Sequence, residues 1–212
     1  MHQNVFIKAI TAGLYVGIAG IIYLSVSNPV LGAVLFSFAL VTIVVKNLYL
    51  YTGKIGYILP YEKGYLKMMG IALAGNIVGT VGTGLLYRLI GFQHVLINAE
   101  NIFSTKIEKG FFQIFVLAIF CGFLMYVAVD SYKRVQDSIA RILIIIFAVV
   151  IFILAGFEHS IANLFYMGVS GIFTWDAIVL IIGALLGNAV GGISLNLVET
   201  VIAKEKLTKK ED

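Results

Sequence analysis

The positions from which charge is missing constrain this chain most. No Asp, Glu, Lys or Arg occurs in residues 9–45, 68–87, 110–129, 142–157 or 177–198. A helix needs roughly 20 apolar residues to cross a hydrocarbon core of about 30 Å. The charge-free stretches therefore read as membrane spans. The first is long enough for two, divided at Ser25-Val26-Ser27-Asn28-Pro29, which is turn chemistry. Six spans are expected, near 5–25, 30–51, 65–89, 110–130, 139–172 and 176–199. Composition agrees: 60% of the 212 residues are hydrophobic and 12% are charged, against about 25% charged in an ordinary soluble domain. That balance excludes a cytosolic enzyme and a nucleic-acid-binding domain, and makes the lipid bilayer the main partner.

Two spans are interrupted. Lys46-Asn47 and Tyr51-Thr52-Gly53-Lys54 break the second, and Gly156-Phe157-Glu158-His159-Ser160-Ile161-Ala162-Asn163 breaks the fifth. Non-helical backbone at membrane depth persists only where it is buried in protein or lines a watery cavity, so the breaks point to a pathway. Lys and Arg in the connecting loops give the orientation. Lys8, Lys54, Lys63, Lys67, Lys133, Arg134, Arg141 and the four lysines of residues 204–212 lie on one side, eleven in all, against Arg88, Lys106 and Lys109 on the other. Both termini are thus expected in the cytoplasm. Met1–Lys8 is not expected to be a signal peptide.

A repeat runs through the spans. Leu73-Ala74-Gly75-Asn76-Ile77-Val78-Gly79 in the third matches Leu186-Gly187-Asn188-Ala189-Val190-Gly191-Gly192 in the sixth, each after an interrupted span. Three crossings per half force the second half to be inverted, and inverted repeats with broken helices are a transport architecture. The expected organisation is one transmembrane domain, 1–203, made of repeat 1–91, linker 92–109 and repeat 110–203, followed by a charged cytoplasmic tail at 204–212.

Ionisable residues inside a bilayer are functional candidates by default. Glu158 and His159 stand at the fifth-span break. A central His can hydrogen-bond a passing anion or exchange a proton with it, and Glu158 would tune that His or hold freed backbone amides. Two roles fit Asn76 and Asn188: hydrogen bonds to the loop of their own repeat or to a permeant, and polar contacts between helices. Lys46 either attracts anions or snorkels to an interface. Asp130 reads as an interface marker, Cys121 as a small buried hydrophobe, and Asn28-Pro29-Val30 as a turn. His2, His94 and His159 have no metal-ligand spacing. No metal, cofactor, nucleic-acid partner or enzymatic nucleophile–base pair is expected.

Five segments in order carry a resemblance. GFEHSIAN at 156–163, Phe6–Gly13, residues 32–53, GNIVG and GNAVGG are similar to the formate/nitrite transporter family. The resemblance implies an all-α, aquaporin-like protomer with two inverted three-helix repeats, assembled as a homopentamer with a pore in each protomer. It implies conduction of small monovalent anions or their acids (formate, nitrite, hydrosulfide, short monocarboxylates) in a prokaryotic inner membrane. By position, Thr52 is the polar residue of the first loop, His159 the central histidine, Asn188 the sixth-span asparagine and Lys106 a vestibule lysine. Leu50 and Tyr51 occupy the leucine and aromatic positions of the first loop, and Phe36, Leu40 and Phe152 the constriction positions. In the mechanism this implies, an anion is drawn towards Lys106 and His159 donates a proton, directly or through water, so that the neutral acid crosses a dry neck. Tyr49, Lys54 and Gly122 depart from the family pattern: Tyr49 replaces an acidic residue, and Gly122 stands where many members have an asparagine. A pore for a neutral solute, or a non-transporting sensor or scaffold, remains the alternative.

Overall fold

The computed structural model describes residues 2–211, with the side chains of residues 3–203. The charged tail expected at 204–212 lies outside the described side chains. Every element is helical: α1 (His2–Ser25), α2 (Pro29–Val45), α3 (Tyr51–Lys54) running into a 3-10 turn (Ile55–Ile58), α4 (Tyr65–Ile90), α5 (Gln93–Glu108), α6 (Gly110–Arg134), α7 (Ser138–Leu154), α8 (Ser160–Ser170) and α9 (Trp175–Glu211). Among the described residues, four segments are long and apolar enough to cross a membrane: Gln3–Ser25, Tyr65–Ile90, Gly110–Arg134 and Trp175–Ala203. The remaining two expected spans begin as the apolar helices α2 and α7, each 17 residues long. At 1.5 Å per residue a helix of that length covers only about 25 Å, less than a full crossing. The backbone then leaves the helix and re-enters it as α3 and α8. The expected turn at Asn28-Pro29 is the α2 cap: Asn28 Oδ1 accepts from the Val30 and Leu31 amides at 3.0 Å, with Pro29 at the first helical position.

Outward faces of these helices are apolar, with Leu14, Phe38, Leu86, Phe112, Ile151 and Val190 among the exposed large side chains. In water such a surface is untenable; against lipid or another protomer it is ordinary. The interior is tightest where α1 meets α4 and where α6 meets α9. Lipid offers no hydrophobic drive for these contacts, so close backbone approach through small residues has to supply them. A Cβ on Gly13 would stand 2.7 Å from the Asn76 carbonyl oxygen, and one on Gly75 would stand 2.6 Å from the Ala9 Cβ. A Cβ on Gly79 would strike the Ile10 carbonyl. The second half repeats these contacts pair by pair: Gly122 against the Asn188 carbonyl, Gly187 against Phe115 and Ala118, Gly191 against the Ile119 carbonyl.

The two breaks are built alike as well. In the first, the Leu48 amide donates to the Ile43 carbonyl at 2.9 Å and Asn47 takes φ +48. In the second, the Phe157 amide donates to the Phe152 carbonyl at 2.9 Å and Gly156 takes φ +70. The left-handed conformation suits Gly and is tolerated by Asn, so one backbone path is written with two residue types.

Residues 92–109, read from the sequence as a linker, form α5. Its one buried stripe, Val95, Ala99 and Phe103, faces inwards, and the helix packs on α8. Asp130 does more than mark an interface: it is buried, accepts from the Tyr57 hydroxyl at 3.0 Å and pairs with Arg134 at 2.7 Å. Lys46 caps α2 and is exposed, in line with snorkelling.

The absence of a side chain at Gly122 is a packing requirement. Gly122→Asn is expected to destabilise the protein by about 1–3 kcal/mol through overpacking. Gly82→Ala, where nothing lies within 4 Å of the new methyl, is expected to be neutral. Thermal unfolding of the detergent-solubilised protein separates the two.

Candidate functional site

Two carboxamides hold the broken backbone in place. Asn76 on α4 accepts from the Tyr51 amide through Oδ1 and donates through Nδ2 to the Tyr49 and Ala9 carbonyls, all at 2.8 Å. Asn188 on α9 accepts from the Ser160 amide and donates to the Glu158 and Ala118 carbonyls, all at 2.9 Å. Both side chains are fully buried. Every polar atom of each carboxamide is thus committed to backbone, and both structural roles are filled at once: each asparagine holds the loop of its own repeat and bonds a neighbouring helix. The matching contacts also set the register between the halves. Tyr51 corresponds to Ser160, Leu50 to His159 and Tyr49 to Glu158. Thr52 and His159 are therefore not equivalent positions; they meet, with Thr52 Oγ1 2.9 Å from His159 Nε2.

His159 caps α8. Its Nδ1 accepts the Ala162 amide at 3.0 Å, so in the neutral ring the proton sits on Nε2 and is donated to the Thr52 oxygen. The ring is stacked on Phe152, with centroids 5.5 Å apart, and Phe152 meets Phe36 edge to face at 6.3 Å. Phe36, Leu40, Leu50, Phe152 and His159 line a void of about 10 Å³, too small for a solute. On one side of this neck lies a cavity of about 400 Å³, walled by Leu40, Ile43, Leu48 and Val129 with Lys54 and Lys133. On the other lies a cavity of about 360 Å³, lined by Tyr23, Phe36, Lys106, Lys109, His159 and Tyr166 among others. The void shares Leu40, Ile43 and Leu50 with the first cavity and Phe36, Phe152 and His159 with the second, so it lies between two vestibules as a closed, largely apolar neck; Thr52 lines none of the three and reaches the neck only through its bond to His159.

Tyr51, expected at the constriction, lines neither cavity nor the neck. A buried phenol needs an acceptor, and its hydroxyl donates to the Leu185 carbonyl on α9 at 3.2 Å. The expected roles of Glu158 are also corrected. Its carboxylate bonds neither the imidazole nor a backbone amide; it accepts from Lys106 at 2.5 Å, Lys109 at 2.8 Å and the Asn163 Nδ2 at 3.0 Å. A fully buried carboxylate needs such partners, and α5 brings both lysines to it. Burial draws the Lys106 ammonium below the ordinary lysine range, and the Glu158 carboxylate opposes that shift. Two cations on one anion leave this cavity with net positive charge.

Lys109 and Asn163 are site residues that sequence reasoning passed over. In the sequence, Lys109 bears only on orientation and Asn163 only closes the GFEHSIAN motif. The spacing of Lys106 and Lys109 on one helical face carried the missing signal, had residues 92–109 been read as a helix. At the opposite end, Asn196 donates to the Gly56 and Leu59 carbonyls at 2.9 Å and so fixes the chain that follows α3.

A sequence family described as formate/nitrite transporter matches residues 2–201. A formate-nitrite transporter of Plasmodium falciparum (isolate 3D7) is 27% identical over 96% of this chain and 79% of that protein. The formate channel FocA of Escherichia coli (strain K12) is 26% identical over 76% of this chain and 64% of that protein. Among solved structures, a pentameric formate channel with formate bound has a TM-score of 0.81 at 23% identity, covering 95% of this chain and 97% of that one. An ion channel of the same family has a TM-score of 0.79 at 22% identity, covering 93% and 89%.

Removing the carboxamide of Asn188 strands three buried backbone groups. Asn188→Ala is expected to cost about 1–3 kcal/mol for each group left unpaired. Asn188→Asp turns acceptor oxygens on two carbonyls and is expected to be worse. Melting temperature ranks the variants, and faster amide exchange at Ser160 places the loss at the break.

Proposed function

We propose that this chain, which belongs to the formate/nitrite transporter family, carries small monovalent anions such as formate and nitrite across a membrane, with the conjugate weak acid as the species that crosses the neck. The observation that carries this reading is the closed apolar neck, lined by His159 with Thr52 bonded behind its ring, and a lysine-bearing cavity on each side. A bare anion entering such a neck loses its hydration with too few polar partners to replace it. The lysines raise the local anion concentration, and protonation removes the desolvation penalty before the narrow passage.

The hydrogen-bond pattern refines the part played by His159. A second proton on the ring would have to sit on Nδ1, which already accepts the Ala162 amide. The neutral ring with Nε2–H is therefore the working form, and it offers the permeant a hydrogen bond in exchange for the one to Thr52. The proton that neutralises the anion comes from water in the cavity, not from an imidazolium.

Five copies, each with its own passage, form the proposed assembly, on the strength of the pentameric formate channel whose fold this chain shares. The distribution of Lys and Arg supports cytoplasmic termini, and the family resemblance supports a prokaryotic inner membrane.

Flux into proteoliposomes tests the reading. Formate uptake is expected to exceed that of empty vesicles and to rise as external pH falls from 7 to 5, because the neutral fraction grows about tenfold per unit. His159→Phe is expected to reduce the uptake by at least tenfold. Unchanged uptake in that variant removes the histidine from the mechanism.

A further inference from the structure

The two cavities carry their charge differently. On the Lys106 side, two ammonium groups converge on one carboxylate, Glu158. On the other side, Lys54 at the end of α3 and Lys133 in the last turn of α6 line one cavity of about 400 Å³. Among the described residues neither pairs with a carboxylate. The acid closest to Lys133 in sequence is already taken: Asp130 holds Arg134 at 2.7 Å and the Tyr57 hydroxyl at 3.0 Å, and it does not line the cavity.

Aromatic rings stand where counter-ions would. The Lys133 Nζ lies 3.5 Å from the centroid of the Tyr57 ring, and the Lys54 Nζ lies 5.2 Å from that of Tyr49. A ring face positions an ammonium through its quadrupole, but it leaves the positive charge uncancelled and N–H groups free to donate. Tyr57 is itself held by Asp130. Leu40, Ile43, Val44, Leu48 and Val129 supply an apolar wall, beside which charges attract an anion more strongly than in open water. Two like charges share this space with no anion between them. A monovalent anion balances half of that charge, and a divalent one balances all of it.

We infer that the Lys54–Lys133 cavity is a binding site for a small divalent anion, such as sulfate, the phosphate dianion or a short dicarboxylate, and that the bound anion obstructs the passage from that side. The cavity shares Leu40, Ile43 and Leu50 with the neck, so an occupant sits at the neck's entrance. It cannot go further. Sulfate keeps both charges where formate gains a proton, and a bare dianion meets the full desolvation cost of the apolar neck. The flux test of this site rests on the transport reading above; its binding test does not.

Sulfate is the probe, present on both sides of proteoliposomes made of zwitterionic lipid, with chloride at matched ionic strength as the control. Formate uptake is expected to fall as sulfate rises and to be unaffected by chloride. Each variant is scored against its own sulfate-free uptake, because Lys54 also belongs to the proposed anion path. Lys54→Gln and Lys133→Gln are each expected to weaken the block about tenfold, the lower end for a hydrogen bond to a charged group. Absence of block, block that survives both substitutions, or block relieved by Lys109→Gln instead overturns the inference. Ligand-induced stabilisation gives a readout without flux and without the Lys54 variant. At low millimolar sulfate, below the range in which salt exclusion stabilises proteins generally, the melting temperature of the wild type is expected to rise more than that of Lys133→Gln, and equal shifts overturn the inference. Absence of formate uptake by the wild type counts against the transport reading instead, while the melting comparison still reports on the cavity.

Discussion

The structure depends on two buried carboxamides. A membrane interior has no water to satisfy backbone groups released by a broken helix, so every freed amide and carbonyl near a break needs a partner from within the chain. Asn is well matched to this work, with one acceptor and two donors on a short side chain. Asn76 and Asn188 use all of that capacity, each tying the start of a resumed helix, the residue two before it and a neighbouring long helix into one knot. With the knots in place, Leu50 and His159 are carried to the centre of the protomer on non-helical backbone. Without them, the same sequence has no reason to keep its breaks at membrane depth.

The glycines serve these knots. A carboxamide on α4 can reach the Ala9 carbonyl on α1 only if the two helices nearly touch, and the same holds for Asn188 and Ala118 across α9 and α6. Gly13, Gly79, Gly122 and Gly191 remove the side chains that would keep those helices apart. Gly122 is thus tied to the polar chemistry one helix away.

Much of this was legible in the sequence because the physics is local. Charge-free stretches mark spans, and Gly-Asn-x-Val-Gly twice over marks the repeat. What was not legible depends on distance. Glu158 and Lys109 are 49 residues apart in sequence, and nothing near either announces the other. Helix α5 was hidden because its buried stripe is thin and its remaining residues are polar, which reads as a loop between spans. Tyr51 was placed at the constriction by its position in a motif, yet a phenol must find an acceptor, and the nearest one sent the ring towards α9. No motif pairs the two loops residue by residue; the carboxamide contacts do, and they make Leu50 the counterpart of His159.

That counterpart has a further consequence. The two halves supply frames of the same shape, but at the central position one frame carries an aliphatic side chain and the other an aromatic heterocycle. The heterocycle is pinned at both nitrogens, by the Ala162 amide and by Thr52, so rotating it would break two hydrogen bonds at once. The centre is therefore lopsided within a pseudo-symmetric frame: the second repeat supplies the ring and the first supplies Thr52, the group that bonds it.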